Sequence, residues 1–175
     1  EPKKLVADIP DGDALFSMRS EKSTDALTYA EAARWLVHVH AFDTAGIKSG
    51  VVGDPRVRRG KSYPIGVGWV GGVGGLYLEG QDFRETLLLN LILWDEEDDE
   101  LFSAADLPAW EKPLHTFGSD GEVPSGRADL YTWQSRRVRF EVTPPLVTGV
   151  VLTNGDKLSV QNMHKLEPMT AWKRS

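Results

Sequence analysis

The chain has 175 residues, with 20 Lys plus Arg against 26 Asp plus Glu, a formal net charge of −6 and no cysteine. That length is one domain's worth or one large fragment. The missing cysteines exclude a disulfide scaffold or a cysteine metal cluster, and no apolar run is long enough for a membrane-spanning helix. A hydrophobic share of 41% can bury a core, while the acidic balance argues against a generic nucleic-acid coat, which reads basic.

The start is polar and charged, so no signal peptide is expected there. It begins with Glu1 rather than Met, and the stretch Met169–Ser175 stops without tailing off, which predicts a fragment of a larger protein. Residues 1–27 lack steady periodicity and carry Pro10, Asp11, Gly12 and Asp13; they predict a loop with short pieces. Thr28-Tyr-Ala-Glu31 fits a capping box, in which the Thr hydroxyl and the Glu carboxylate satisfy the first free amides. It predicts a helix over Tyr29–Phe42 with Ala33, Leu36, Val37 and His40 on one face. Residues 43–75 are too rich in glycine for a helix, because glycine loses the most entropy on ordering. Gly75–Glu79 predicts a short strand. Asp82 and Glu85 spell a second capping signal, and Phe83–Trp94 predicts a mostly buried helix. The six acids Asp95–Glu100 predict a solvated loop. Arg127–Gln134 predicts a short helix and Val138–Val142 an alternating strand. Thr148–Thr153 and Lys157–Gln161 flank Asn154-Gly155-Asp156, a hairpin signal because Asn-Gly tolerates positive φ. Mixed helices and antiparallel hairpins in this order predict an α+β fold.

The charges are not evenly spread. Gly46–Gly75 holds ten glycines and five basic residues (Lys48, Arg56, Arg58, Arg59, Lys61) with one acid, Asp54. Asp95–Glu122 pools ten acids with one Lys, and Arg127–Arg139 holds four arginines with one Asp.

Most chemical motifs fail on inspection. Gly66-Val-Gly68-Trp-Val-Gly71 spells G-x-G-x-x-G, but a dinucleotide site needs a strand before it and a helix after it. Gly72, Gly74 and Gly75 argue against that helix, so a Gly-rich turn packed on another backbone is the better reading. Gly60-Lys61-Ser62 ends like a phosphate loop, but the glycine required at position 55 is Pro55, which rejects nucleotide hydrolysis. His38 and His40 point to different faces of a helix, one packed and one exposed, so no metal site is expected. No G-x-S-x-G elbow is present, and the acidic run lacks the spacing of a calcium loop. Two stretches remain. Asp43–Gly50 is small and offers backbone amides, suited to close approach to a nucleic-acid backbone or groove; its bland reading is a helix C-cap served by Gly46. A hairpin tip bearing Lys157 can reach a groove, or can be an ordinary soluble turn.

Longer strings carry more. Asp129-Leu-Tyr-Thr-Trp-Gln-Ser-Arg-Arg-Val-Arg-Phe140, Val147-Thr-Gly-Val-Val-Leu-Thr-Asn-Gly-Asp156 and Leu166-Glu-Pro-Met-Thr-Ala-Trp172 closely resemble the CasA family, the large subunit of the type I-E CRISPR surveillance complex, Cascade. Ala41–Gly50, Arg84–Asn90 and Leu107–Glu111 agree, so the resemblance runs over nearly the whole chain and is nearest to actinobacterial-type members. It implies an internal fragment of a single large N-terminal domain, with the C-terminal four-helix bundle absent.

The resemblance also implies a function. CasA-like subunits are cytoplasmic, are not enzymes and carry no cofactor. They read a short protospacer-adjacent motif in double-stranded DNA, help open the duplex for the guide RNA, and then help recruit a helicase-nuclease. Protein reads the short motif and base pairing reads the rest; the motif is read largely from the minor groove, whose degenerate code tolerates several sequences. The family's glycine loop falls on Ala45, Gly46, Ile47, Lys48, Ser49 and Gly50, with Gly46 and Ser49 favoured for groove contacts and Lys48 for a phosphate. Its lysine hairpin falls on Asn154–Lys157, with Lys157 the best match. Its flexible loop, which contacts other Cascade subunits near the guide RNA handle, falls on Asp8–Asp25, including Phe16 and Arg19. Its wedge glutamine falls beyond Ser175, and the cysteine-rich zinc insert of some relatives has no counterpart. The competing functions are a nucleotide-binding enzyme using the Gly-rich segment and a purely structural scaffold subunit.

Overall fold

The computed structural model describes residues 2–9, 25–73, 75–92, 105–159, 167 and 169. Phe16, Arg19 and the acidic run Asp95–Glu100 lie outside the described residues. Within them the architecture is α+β. A 3-10 turn (Pro2–Leu5) leads to β1 (Leu27–Thr28), α1 (Tyr29–Phe42), β2 (Lys48–Ser49), β3 (Lys61–Ser62), α2 (Trp69–Val73) and α3 (Phe83–Leu89). A second 3-10 turn (Ala109–Glu111) precedes α4 (Arg127–Tyr131), β4 (Arg136–Thr143) and β5 (Leu146–Asn154).

The main sheet is antiparallel in the order β1-β5-β4. β4 and β5 form one long hairpin, in register from Arg136 opposite Asn154 to Thr143 opposite Leu146, with a bulge between Glu141 and Val142. Its turn is Pro144-Pro145. Proline has no amide to donate, so the ladder stops there. The hairpin expected at Asn154-Gly155-Asp156 is therefore misplaced: Asn154 ends β5, and residues 157–159 form no strand.

One face of this sheet carries the core. Val138 pairs with Leu152 and Phe140 with Val150 across the strands. Period-two alternation aims both pairs to one side. There they meet Leu5 from the first turn, Val6 and Ile9 just after it, and Ala32, Trp35 and Val39 from α1. The start of the chain, expected to be a loop with short pieces, thus supplies three core residues. Helix α1 begins as predicted: the Thr28 hydroxyl accepts the Glu31 amide at 3.2 Å. Its buried stripe is not the expected one. Positions 32, 35 and 39 face the sheet, while Ala33 is exposed and Val37 is 70% exposed.

Four other expectations change. A five-residue helix, α2, does form in the glycine segment. Gly68 sits so close to α1 that a Cβ there would lie 2.3 Å from the Ala41 carbonyl carbon, and its amide donates to the Asp43 carbonyl at 2.8 Å. Docking on α1 offsets the entropy that glycine loses. The strand β3 ends at Ser62, well short of Gly66, and Gly68 is used for packing. Residues 75–79 form no strand; the Asn90 side chain takes the place of a partner, accepting the Leu78 amide at 2.8 Å and donating to its carbonyl at 2.7 Å. Helix α3 ends at Leu89, with Asp82 capping the Glu85 amide at 2.7 Å. It is not buried among the described residues: Phe83 is 77% exposed, and Leu87, Leu88 and Leu89 are exposed too. Helix α4 is shorter than expected, ending at Tyr131.

Candidate nucleic-acid interface

Helix α1 is capped by Asp43, whose amide still donates to the Val39 carbonyl at 3.2 Å. Residues 44–47 then cross to β2, where Lys48 pairs with Ser62 and Ser49 with Lys61. The Gly50 amide donates to the Gly60 carbonyl at 2.9 Å. So half of the expected loop is the edge of a small hairpin. Ala45, Ile47 and Ser49 are exposed, while Gly46, Lys48 and Gly50 are half-buried.

The main sheet holds this segment from below. Arg136, at the start of β4, has 0% exposure. Its Nε donates to Asp43 Oδ2. Its Nη2 donates to the carbonyls of Asp43 (3.0 Å), Thr44 (3.3 Å) and Gly66 (3.0 Å), and its Nη1 to that of Ser135 (2.8 Å). A buried guanidinium is tolerable only when its donors are satisfied, and here the acceptors are the backbone entering the loop. The Thr153 hydroxyl donates to the Ser49 carbonyl at 2.6 Å. The Ser135 hydroxyl donates to the His40 carbonyl at 2.6 Å.

The two glycines of this segment differ. A Cβ on Gly50 would lie 2.6 Å from Val57 Cγ1 and 3.0 Å from the Gly60 carbonyl, so the fold itself requires glycine there. A Cβ on Gly46 would meet nothing within 4 Å, and its φ is not positive. The C-cap reading for Gly46 is therefore wrong; Asp43 is the cap. Lys48 does not project freely: its Nζ lies 2.8 Å from Asp43 Oδ2 and its side chain is 13% exposed.

The second candidate divides. Asn154 has 0% exposure, and its Nδ2 donates to Ser62 O (3.2 Å), Ser62 Oγ (3.1 Å) and Tyr63 O (2.9 Å). It cannot touch DNA, because it is a bolt between β5 and β3. Gly155 and Asp156 turn back on β4's entry, their amides donating to the Ser135 and Gln134 carbonyls at 3.0 and 2.8 Å. Lys157 is exposed, with its amide fixed on the Ser119 carbonyl at 2.9 Å.

Arg56 ties these parts together, and sequence reasoning counted it only as surface charge. Its Nε and Nη2 grip both oxygens of Asp54 at 3.2 and 3.1 Å, while Nη1 donates to the Gly155 carbonyl at 2.9 Å and Asp120 Oδ1 at 3.3 Å. Burial alone would raise the Asp54 pKa, but hydrogen bonds from the Arg56 side chain and amide outweigh it and hold the carboxyl below its ordinary range. Between the β2 segment and the 112–119 stretch opens a cleft of about 790 Å³, lined by Gly50, Val51, His115, Arg137, Arg139 and Asp156 among others. Arg137 is paired with Asp156 at 2.9 Å. The arginine-rich segment is thus partly internal. The signal for it was the four pooled arginines, which look like surface charge until the strand register is known.

His38 and His40 are both half-buried, not one packed and one exposed. Burial first, then Arg137 and Arg136, lower the His40 pKa to about 4. Among the described residues no group of three or more His, Cys, Asp or Glu could hold a metal ion, and no helix is long and apolar enough to cross a membrane.

Residues 2–175 match the family described as CRISPR-associated protein Cse1. The chain is similar to the crystal structure of Thermobifida fusca Cse1, with 49% identity and a TM-score of 0.77 over 98% of this chain and 32% of that one. It is similar to the CRISPR-associated protein Cse1 from Acidimicrobium ferrooxidans, with 39% identity and a TM-score of 0.68 over 84% of this chain and 29% of that one. The CRISPR-associated protein CasA/Cse1 of Thermus thermophilus is 34% identical over 147 residues, covering 78% of this chain and 26% of the relative. The chain therefore spans between a quarter and a third of the length of these relatives.

Proposed function

Because this chain belongs to the CRISPR-associated Cse1 (CasA) family, we propose that it is the inner part of the N-terminal domain of a non-enzymatic Cascade subunit that reads a protospacer-adjacent motif in double-stranded DNA. In this reading the full subunit is cytoplasmic, works with a guide RNA and other Cascade subunits, and helps recruit a helicase-nuclease. The four-helix bundle and the strand-separating wedge lie in other parts of the polypeptide.

The observation that carries the reading is Gly46. Nothing in the described fold needs glycine there, neither a positive φ nor a close neighbour. The missing side chain is then available to something outside the fold, and a nucleic-acid groove is a surface that demands such close approach. Exposed Ala45 and Ser49 flank it, on a backbone held rigid by Arg136 and Thr153. Rigid, small and amide-bearing is what a minor-groove reader requires, since that groove offers mainly acceptors. Exposed Lys157 supplies a separate cation for phosphate.

The test is a gel shift at stated salt with the full-length protein in the assembled complex, against a duplex library randomised beside the guide-matched sequence. The expected result is selective retention of a few short motifs, lost on Gly46→Asp with Lys157→Asp. Retention unchanged by both substitutions rejects the assignment and leaves a scaffold role.

A further inference from the structure

We propose that Lys48 is a positioning residue of this loop and not a phosphate contact: Lys48 and Arg136 share the Asp43 carboxylate and so staple the two ends of the reading loop. This rests on the motif-reading function proposed above.

The geometry is specific. Asp43 Oδ2 receives both the Lys48 Nζ, at 2.8 Å, and the Arg136 Nε. The three side chains are 17, 13 and 0% exposed for Asp43, Lys48 and Arg136. Asp43 is the last residue of the helix cap and Lys48 the first of β2, so their pairing closes a ring around Thr44, Ala45, Gly46 and Ile47. Arg136 fixes one side of that ring to the sheet through the Asp43 and Thr44 carbonyls. A lysine bound for a phosphate presents three donors on a flexible, solvated stem. This one is folded inward against a carboxylate, and its charge is already offset. What it adds is preorganisation: a loop held in its bound shape loses less entropy when it binds.

The two roles leave different marks. Loss of a phosphate contact weakens binding to all duplexes alike and lowers the salt slope by about one. A staple alters discrimination and leaves the slope alone. The experiment uses the full-length chain in the assembled complex with Lys48→Met, Lys48→Arg, Asp43→Asn and the Met/Asn double variant. It measures binding to motif-bearing and motif-lacking duplexes across a salt series, and amide exchange over residues 44–50. Lys48→Met leaves the Arg136–Asp43 pair intact. The expected result is a roughly tenfold loss for the motif-bearing duplex, an unchanged salt slope, faster exchange over 44–50, partial rescue by Lys48→Arg, and a double variant no worse than the weaker single one. A slope lowered by about one with Asp43→Asn neutral overturns the proposal. So does faster exchange with undiminished motif preference, or no change in either measurement. If the wild-type complex shows no motif preference at all, the function reading itself fails, and the exchange data still decide whether the staple exists.

Discussion

Thr153 on β5 donates a 2.6 Å hydrogen bond to the backbone carbonyl of Ser49 on β2. This bond joins the small hairpin to the main sheet at the exposed segment proposed to read DNA. Thr153 is itself buried, so its hydroxyl has no ready replacement partner in solvent. Thr153→Val keeps the shape and removes the donor. It is expected to cost about 0.5–1.5 kcal/mol, the net worth of one hydrogen bond whose acceptor is only part-buried, with faster amide exchange over residues 48–50. Denaturant midpoints and exchange mapping check both.

The glycines of the loop separate stability from binding. Gly46→Ala meets open space. It is expected to leave stability unchanged or to raise it by about 0.4–1 kcal/mol through the unfolded chain, while weakening motif-bearing duplex binding. Gly50→Ala collides with Val57 and the Gly60 carbonyl, and is expected to destabilise by about 1–3 kcal/mol. Thermal unfolding of the two variants, beside duplex titration of the first, tests the contrast.

Asn154 and Lys157 lie three positions apart and are expected to behave oppositely. Asn154→Leu strands the Ser62 and Tyr63 carbonyls, at a cost of about 1–3 kcal/mol. Lys157→Ala changes stability by less than about 0.5 kcal/mol and lowers the salt slope of duplex binding by about one. A Lys157 variant with undiminished DNA binding removes that residue from the interface.

His40 makes the fold sensitive to mild acid. Its folded pKa is lowered to about 4 from 6.5, so the unfolded chain takes up the proton first as pH falls. The neutral, buried form contributes fully above pH 6.5. Stability is then lost as pH drops from 6.5 towards 4, by up to about 3 kcal/mol at about 1.4 kcal/mol per unit. His40→Gln is expected to flatten this part of the stability–pH profile. Urea midpoints at successive pH values read the difference.

How far the sequence led depends on whether a signal was local. The α1 start is legible because a capping box makes its hydrogen bonds within four residues; the Thr28 hydroxyl accepts the Glu31 amide, one of the two bonds such a box predicts. The β4 and β5 strands are visible as β-branched runs, yet the hairpin turn is expected at Asn154-Gly155-Asp156, between Thr148–Thr153 and Lys157–Gln161, and not at Pro144-Pro145, which joins β4 to β5. Pro144-Pro145 was the stronger stop, and the Asn154 amide was committed to Ser62 and Tyr63, more than ninety residues away. The α1 stripe was misjudged because Trp35 was left out of the apolar face. Burial of α3 was inferred from its leucines, but composition says nothing of what lies against a helix. At the candidate site, the small residues 45–50 were recognised from their family-like spelling. The support beneath them was not, because a buried Arg136 and a surface arginine are the same letter.

The bonds that shape the loop also set when it can exist. Asp43 and Arg136 are 93 positions apart, and Ser49 and Thr153 are 104 apart. Closing spans of that size is slow compared with winding a helix. A nascent chain that has already made α1 still lacks the strands that hold the segment after it. The loop therefore takes form only after β4 and β5 have been synthesised and docked. A chain arrested before that point carries residues 44–50 and none of the contacts that shape them, so under the proposed function competence to read DNA reports that long-range folding is complete.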